Sequence, residues 1–510
     1  MSETEDSRYQ LLDNNAQAVR ALMQAVEGTI GPKGLDTMLL DQFGSVTITN
    51  DGMTILEMME VKHPVAKMLI NAVKSQQETT GDGTTTTALY AGEMILSGIE
   101  RINQGVPVAQ VIKGIRMGLV MAEDEWQKER ITLDFHDTAA LKQIAQVAAR
   151  EYDDIALLIT EAAEKIGEER LKDPTFAFAE SIKAKIGAEG EVFNGIVLSK
   201  SRHDKQMPAE LAGEVKVLVI DDALESEEFD DKALATESGF QEYMKLKNEF
   251  RDNVEKILHS GAKLVLVDRG VDEQAAERLA DHGIMLISRI PHKELEEAAS
   301  HVGAKMIKRT GLKKDLAEIQ AALGTVGAVK DDEILGLTKL ADGKGEERAT
   351  VIIGAATDEV VGERERIAKD AAAALQAAVQ KGVVAGGGAA ELAVAEALEK
   401  RTHELSGMSV YGLECVIKAL RKPFMQIVKN AGFNPLEKLG DVVKAQNEQD
   451  NHHLAIDCET GEISDMRELG VIDPLYVKTH AIDAAGEVAA AILKINIIIK
   501  KKEYQPKENS

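Results

Sequence analysis

From about residue 192 to 345 the sequence changes its period. Short apolar runs, VKVLVID, AKLVLVD, IMLISR and AKMIKR, alternate there with amphipathic helical stretches. Each of the last three runs follows a glycine placed to end a helix. That alternation predicts an α/β domain. The flanking regions read differently. In HPVAKMLINAVKSQ, Val65, Leu69, Ala72 and Val73 recur at helical spacing, and in TALYAGEMILSGIERI one stripe holds Ala88, Ala91, Ile95, Ile99 and Ile102. After about residue 350 the chain returns to alanine-rich helices. At 510 residues there is room for two to four domains.

Three local patterns refine this picture. TMLLDQFGSVTITNDGMTIL reads as a hairpin with an alternating second strand, followed by an Asp-Gly turn. Residues 221–260 begin acidic and continue as an amphipathic helix carrying Phe240, Tyr243, Phe250, Val254 and Ile257. Such a segment suits a protrusion better than a core. Near the C-terminus, ILKINIIIKKK alternates with the period of a strand that needs a partner sheet.

Composition narrows the function. Lys plus Arg is 60 against 86 Asp plus Glu, a formal charge of −26. This argues against nucleic acid or an anionic membrane as a general partner, because phosphates would be repelled overall. Cys415 and Cys458 give no disulfide framework, and a reducing compartment is the simplest expectation. The start MSETEDSRYQ does not read as a signal peptide, and no apolar run approaches the roughly 20 residues of a membrane span. The expected location is cytoplasmic.

The chemistry begins with QQETTGDGTTTTALYAGEM. Glycines admit close approach of a ligand, and a helix that follows directs N–H groups at it. Thr84, Thr85 and Thr86 add hydroxyls, and Asp82 offers oxygen to a hard cation such as Mg²⁺. The alternative is a polar helix start with solvated threonines. Three more elements favour the phosphate reading: GTIGPKG at 28–34, ITNDG with Asp51 at a strand end, and VVAGGGAAEL with three glycines before a helix. No G-x-x-x-x-G-K-[ST] P-loop is present.

These motifs, with HPVAKM and SDMRELGVIDPLYVKTHAIDAAGEVAAAIL, occur in the order and spacing of the chaperonins, which the chain resembles over nearly its whole length. The implied fold is multidomain α and α/β. Residues 1–133 and 383–510 would form a mainly helical, ATP-binding equatorial domain. Residues 134–191 and 346–382 would form an α+β intermediate hinge, and 192–345 an α/β apical domain with a helical protrusion at about 221–260. NGIVLSKSRHDKQMPAEL resembles the thermosome-like, group II type, whose protrusion serves as a built-in lid. IAQVAAREYDDIALLITEAAEKIG reads closer to group I. The mixture resembles the archaeal-like group III branch found in bacteria.

The resemblance implies an ATPase that folds client proteins inside a homo-oligomeric double ring, with no separate lid protein. Each ring would hold about eight subunits. ATP or ADP would lie against Thr29, Ile30, Gly31 and Pro32, with Asn50 and Gly52 beside Asp51. Gly83, Thr84, Thr85 and Thr86 would hold phosphates, and Asp82 would ligate Mg²⁺, with K⁺ a further cation the family allows. Gly387 and Asp473 would approach ribose and base. Asp51 and Asp370 are the implied catalytic carboxylates, Asp370 from a moving domain. On residue pattern alone Asp370 is a bland exposed helix position. Where the group II pattern carries a phosphate-sensing lysine this chain has Tyr152, with Arg150 the nearest cation. His452, His453 and Cys458 fit no common zinc spacing, and Trp126 reads as packing. Two other functions stay open: an ATP-binding holdase or assembly scaffold, and a Mg²⁺-dependent phosphotransferase.

Overall fold

The computed structural model describes residues 2–40, 46–149, 152–227 and 237–498. The chain packs as two compact units, one of residues 1–151 and 370–510, the other of 152–369.

The first unit opens with helix α1 (Ser2–Val26), a hairpin of β1 (Thr37–Leu40) and β2 (Val46–Thr49), and helices α2 (Gly52–Met58), α3 (Pro64–Thr80), α4 (Thr84–Asn103), α5 (Val108–Lys128) and α6 (Thr138–Ala149). The helical stripes read from sequence bury as expected. Val65, Leu69 and Val73 of α3 and Ala88, Ala91, Ile95, Ile99 and Ile102 of α4 all enter one core. Trp126 is fully buried in it.

In the second unit come α7 (Asp153–Ile166), α8 (Glu168–Lys172), β3 (Ile182–Ile186), β4 (Glu191–Leu198), β5 (Glu210–Ile220), α9 (Glu237–Ser260), β6 (Leu264–Val267), α10 (Glu273–Asp281) and β7 (Met285–Ile287). They are followed by α11 (His292–Val302), α12 (Leu316–Ala321), β8 (Gly324–Asp332), β9 (Leu337–Gly343), β10 (Ala349–Ala355) and α13 (Asp358–Lys381). The division between units falls within α13.

One eight-stranded sheet, in the order β3-β10-β4-β9-β8-β5-β6-β7, organises this unit. β5, β6 and β7 run parallel, joined through α9 and α10, as the alternating runs predict. All four residues of β6 are fully buried, because helices cover both faces of a parallel sheet. Gly261, Gly283 and Gly303 end the preceding helices at φ of 88°, 66° and 69°. AKMIKR contributes only an isolated bridge from Ile307 to Ile220 rather than a full strand. Helix α9 divides along its length: Val254 and Ile257 are buried, whereas Phe240 and Met244 stand exposed. Residues 228–236 of the acidic stretch lie outside the described residues.

The chain then returns to the first unit with β11 (Val383–Ala385), α14 (Ala389–Lys400), α15 (Val410–Asn430), α16 (Pro435–Gln449), β12 (Leu454–Ile456), β13 (Ile463–Asp465), β14 (Ile472–Pro474) and α17 (Leu475–Leu493). The strand expected in ILKINIII does not form among the described residues. α17 continues to Leu493, and 494–498 belong to no strand. Residues 499–510 lie outside the described set.

Candidate functional site

The glycines of GDG are required by geometry. Gly81 ends α3 at φ 69°, and a Cβ there would come within 2.4 Å of Ala373 Cβ. Gly83 precedes α4 at φ 80°, where a Cβ would meet Val477 Cγ1 at 2.7 Å. Between them the Asp82 carbonyl accepts from Gln76 Nε2 at 2.8 Å and Thr80 Oγ1 at 2.9 Å. Its Oδ1 accepts from the Gly83 N–H at 2.6 Å. No side chain caps α4, so its N-terminal N–H groups are offered to whatever enters the loop. Thr87 turns its hydroxyl back to the Gly83 carbonyl at 2.9 Å.

Two other glycine turns meet this loop. Thr29 Oγ1 lies 3.2 Å from Thr85 Oγ1. A Cβ on Gly52 would fall 2.6 Å from Thr85 Oγ1 and 3.3 Å from Thr84 Oγ1. Asp51, 6% exposed, is the N-cap of α2: its Oδ2 accepts from the N–H and the hydroxyl of Thr54, both at 2.7 Å. The Asp-Gly turn expected there is thus a helix start. Thr54, three residues on, supplies the hydrogen bonds that decide it. Ile30 and Gly31 sit on α15, where Asn430 Nδ2 donates to the Ile30 carbonyl at 2.9 Å and Gly31 packs on Ile427. Pro32 is exposed beside them, and Asn50 is half-buried next to Asp51.

The glycine triplet lies beside Asp473. Gly387 and Gly388 take φ of 63° and 85°, and Gly388 is the uncapped start of α14. β11 pairs antiparallel with β14, setting Val384 opposite Asp473. A Cβ on Gly386 would lie 3.2 Å from Asp473 Oδ1, and one on Gly387 would lie 3.1 Å from Met466 Sδ.

Gln76 connects the two regions. Its Nε2 donates both to the Asp82 carbonyl and to the Val477 carbonyl, at 2.8 and 3.1 Å. Val477 lies four residues after Asp473, in the first turn of α17. Motifs from the two ends of the chain are therefore joined through one amide. Asp370 joins the same loop, with Gln77 Nε2 donating to its Oδ1 at 3.0 Å.

Several of these residues carry no signal in a motif reading. Gln76, Gln77 and Asn430 are ordinary polar helix positions in sequence. Lys478 had one visible mark, a cation within the largely apolar LYVKTHAIDAAGEVAAAIL. Its Nζ lies 2.7 Å from Glu391 Oε1 and 2.7 Å from Asp473 Oδ2. Burial alone would lower its pKa, but the carboxylates of Asp473 and Glu391 hold it well above the ordinary lysine value. Burial also drives the Tyr90 hydroxyl well above its ordinary value, with Glu391 adding to the effect. Arg150 lies outside the described residues, and Tyr152 stacks under the Arg364 guanidinium at 5.1 Å.

The donor set fits a polyphosphate with a hard cation. The carboxylates of Asp51 and Asp82, the hydroxyls of Thr29, Thr84 and Thr85 and two glycine-capped helix starts supply oxygen ligands and N–H donors, with no thiol among them. His452 instead meets Glu129 at 2.8 Å. Among the described residues, donors gathered within 4.8 Å of one another occur at Asp221, Asp268 and His292, not at His452, His453 and Cys458. No helix among the described residues is long and apolar enough to cross a membrane.

A profile of the TCP-1/cpn60 chaperonin family matches residues 22–503. Thermosome subunit alpha of Archaeoglobus fulgidus is 34% identical over 508 residues, covering 96% of this chain and 91% of that protein. Thermosome subunit alpha of Thermoplasma acidophilum is 33% identical over 514 residues, covering 97% and 92%. A crystal structure of a group III chaperonin in the open state superposes with a TM-score of 0.88 at 43% identity, covering 96% of this chain and 99% of that one.

Proposed function

Because the chain belongs to the TCP-1/cpn60 chaperonin family, we propose that it is an ATP-driven protein-folding machine of the group III branch. Non-native proteins are its clients, held and then enclosed by a homo-oligomer of two stacked rings, each of about eight subunits. Three nested domains divide the work: an equatorial domain from both chain ends, an intermediate hinge at 134–191 and 346–382, and an apical domain at 192–345. The observation that carries this reading is Gln76, which binds the Asp82 loop to the first turn after Asp473. With it, glycine turns distant in sequence share one site of the chemistry a nucleotide requires.

Thr84, Thr85 and Thr86 and the N-terminus of α4 hold phosphate oxygens, and Thr29 to Pro32 with Asn50 and Gly52 border them. Gly387 and Asp473 take the sugar side. Asp82 is the ligand for Mg²⁺, whose charge offsets that of the phosphates. Asp51 and Asp370 orient the attacking water and accept its proton. A carboxylate on α13, the helix that leads to the second unit, makes hydrolysis conditional on a domain movement.

Two exposed surfaces support the assembly reading. In the hairpin, Met38 faces Ile48 and Leu40 faces Val46 across the strands, and all four are more than half exposed. A second copy covers them, pairing its own terminal segment with the edge. In α9, Phe240 and Met244 present apolar surface on the protrusion, where a built-in lid closes or a client binds, so no separate lid protein is needed. The location is cytoplasmic.

Electron microscopy of the full-length protein with and without ATP, with ATP turnover measured on the same sample, tests this. Double rings that close on ATP are expected, with turnover raised by unfolded protein. Monomers that hydrolyse ATP in response to a metabolite would favour a phosphotransferase instead. Rings that bind ATP without turnover would favour a holdase.

A further inference from the structure

The buried cation of the first unit has no role in packing that an apolar residue would not fill better. Lys478 is 9% exposed and Glu391 fully buried, and Tyr90, also fully buried, places its hydroxyl 3.5 Å from Glu391 Oε1. Glu391 Oε2 has no hydrogen-bond partner. Taking charges out of water is costly, and replacing such a set by hydrocarbon is often neutral or stabilising. The cluster is therefore better explained by what it positions. Through it α14, β14 and α17 meet at one ammonium group, and α4, which follows the GDG loop, joins them through Tyr90 and Glu391.

We propose that Lys478 is a positioning and specificity residue for the sugar of the bound nucleotide: it anchors one oxygen of Asp473 and leaves the other to accept hydrogen bonds from vicinal hydroxyls. This rests on the nucleotide-site reading above. Asp473 Oδ2 is taken by Lys478 Nζ at 2.7 Å, so the carboxylate cannot rotate freely. Its Oδ1 lies 3.2 Å from where a side chain on Gly386 would begin. A Cβ there would crowd the carboxylate and Val471 Cγ1 at 3.1 Å, so glycine at 386 lets the fixed acceptor keep its place. A diol offers two O–H donors, and a carboxylate oxygen has lone pairs for both. Glu391 holds the ammonium from the other side, in the first turn of the helix that follows the triplet.

The test compares ADP with 2′,3′-dideoxy-ADP, titrated calorimetrically into the full-length protein. Wild type is expected to bind ADP about tenfold more tightly, as for a hydrogen bond to a charged acceptor. K478Q should lose that preference by weakening ADP alone. E391Q/K478Q, which removes the unpaired buried carboxylate, keeps the comparison available if K478Q fails to fold. Equal weakening of both nucleotides, or an unchanged preference in the variants, overturns the inference. A wild type that binds neither nucleotide overturns the nucleotide reading itself, which distinguishes the two failures.

Discussion

Gln77 donates from Nε2 to Oδ1 of Asp370 at 3.0 Å, across 293 residues of sequence, and to the Gly81 carbonyl at 3.2 Å. One amide so ties the proposed catalytic carboxylate to the loop proposed to hold phosphate. A side chain in this place acts on the geometry of the reacting group rather than on affinity. Q77A is expected to lower kcat about tenfold, corresponding to about 1.4 kcal/mol of barrier, with KM within about twofold. D370A should abolish hydrolysis and client refolding while ADP binding persists. Unchanged refolding by D370A would identify a holdase.

The two glycines of the loop should fail in different ways. G81A forces its methyl against Ala373, on the helix that carries Asp370, whereas G83A presses on Val477 and Gln76. Each also places alanine at positive φ, and the combined cost is about 2–4 kcal/mol of stability. G81A is expected to impair turnover with ADP affinity nearly intact, and G83A to weaken ADP binding. Adding A373G should recover part of the G81A turnover, because it removes the clash and leaves only the backbone strain. Identical profiles for G81A and G83A, measured by turnover and ADP titration, would contradict this division.

How much of this was readable beforehand follows from what each residue needs. Helical stripes and the parallel strands announced themselves because burial imposes a period, and the glycine turns because positive φ restricts the choice of residue. Asp51 reads as a carboxylate at a strand end, but its role as a cap depends on Thr54, which offers a backbone N–H and a hydroxyl at the right distance. Glu391, Gln76 and Gln77 act through partners 87 to 401 residues away, so no local pattern marks them, and Lys478 shows only as a cation in an apolar helix. ILKINIII is a different case: its alternation calls for a partner sheet, α17 takes the first residues of the run, and 494–498 form no strand in a single copy.

His301 sets a pH dependence in the second unit. Its Nδ1–H donates to the Glu346 carbonyl at 3.0 Å and its Nε2 accepts from the Gly343 N–H at 3.2 Å, which requires the neutral ring. Burial lowers its pKa accordingly. The folded state therefore binds a proton less readily than the unfolded chain. That contribution to stability is complete above the unfolded value near 6.5, and is lost as pH falls from there through the folded value. The slope is at most about 1.4 kcal/mol per pH unit. Thermal unfolding at pH 7.5 and 5.5 should show a smaller drop for H301Q than for wild type. An equal drop in both would assign the acid sensitivity elsewhere.

The hairpin makes the most direct statement about assembly. Met38, Leu40, Val46 and Ile48 are 61%, 69%, 52% and 59% exposed, in two facing pairs on one side of a two-stranded sheet. An isolated hairpin is marginal in water, and one with a bare apolar face invites pairing with another chain. If a neighbouring subunit covers it, charge placed there must be desolvated on assembly but costs little in the monomer. M38K/I48K is therefore expected to leave helix content and thermal unfolding of the monomer close to wild type while abolishing rings, as read by light scattering coupled to size-exclusion chromatography. Turnover should fall with assembly. Rings of normal size from M38K/I48K would mean that this face is not an intersubunit contact, and the terminal segment after α17 would then lack its proposed partner.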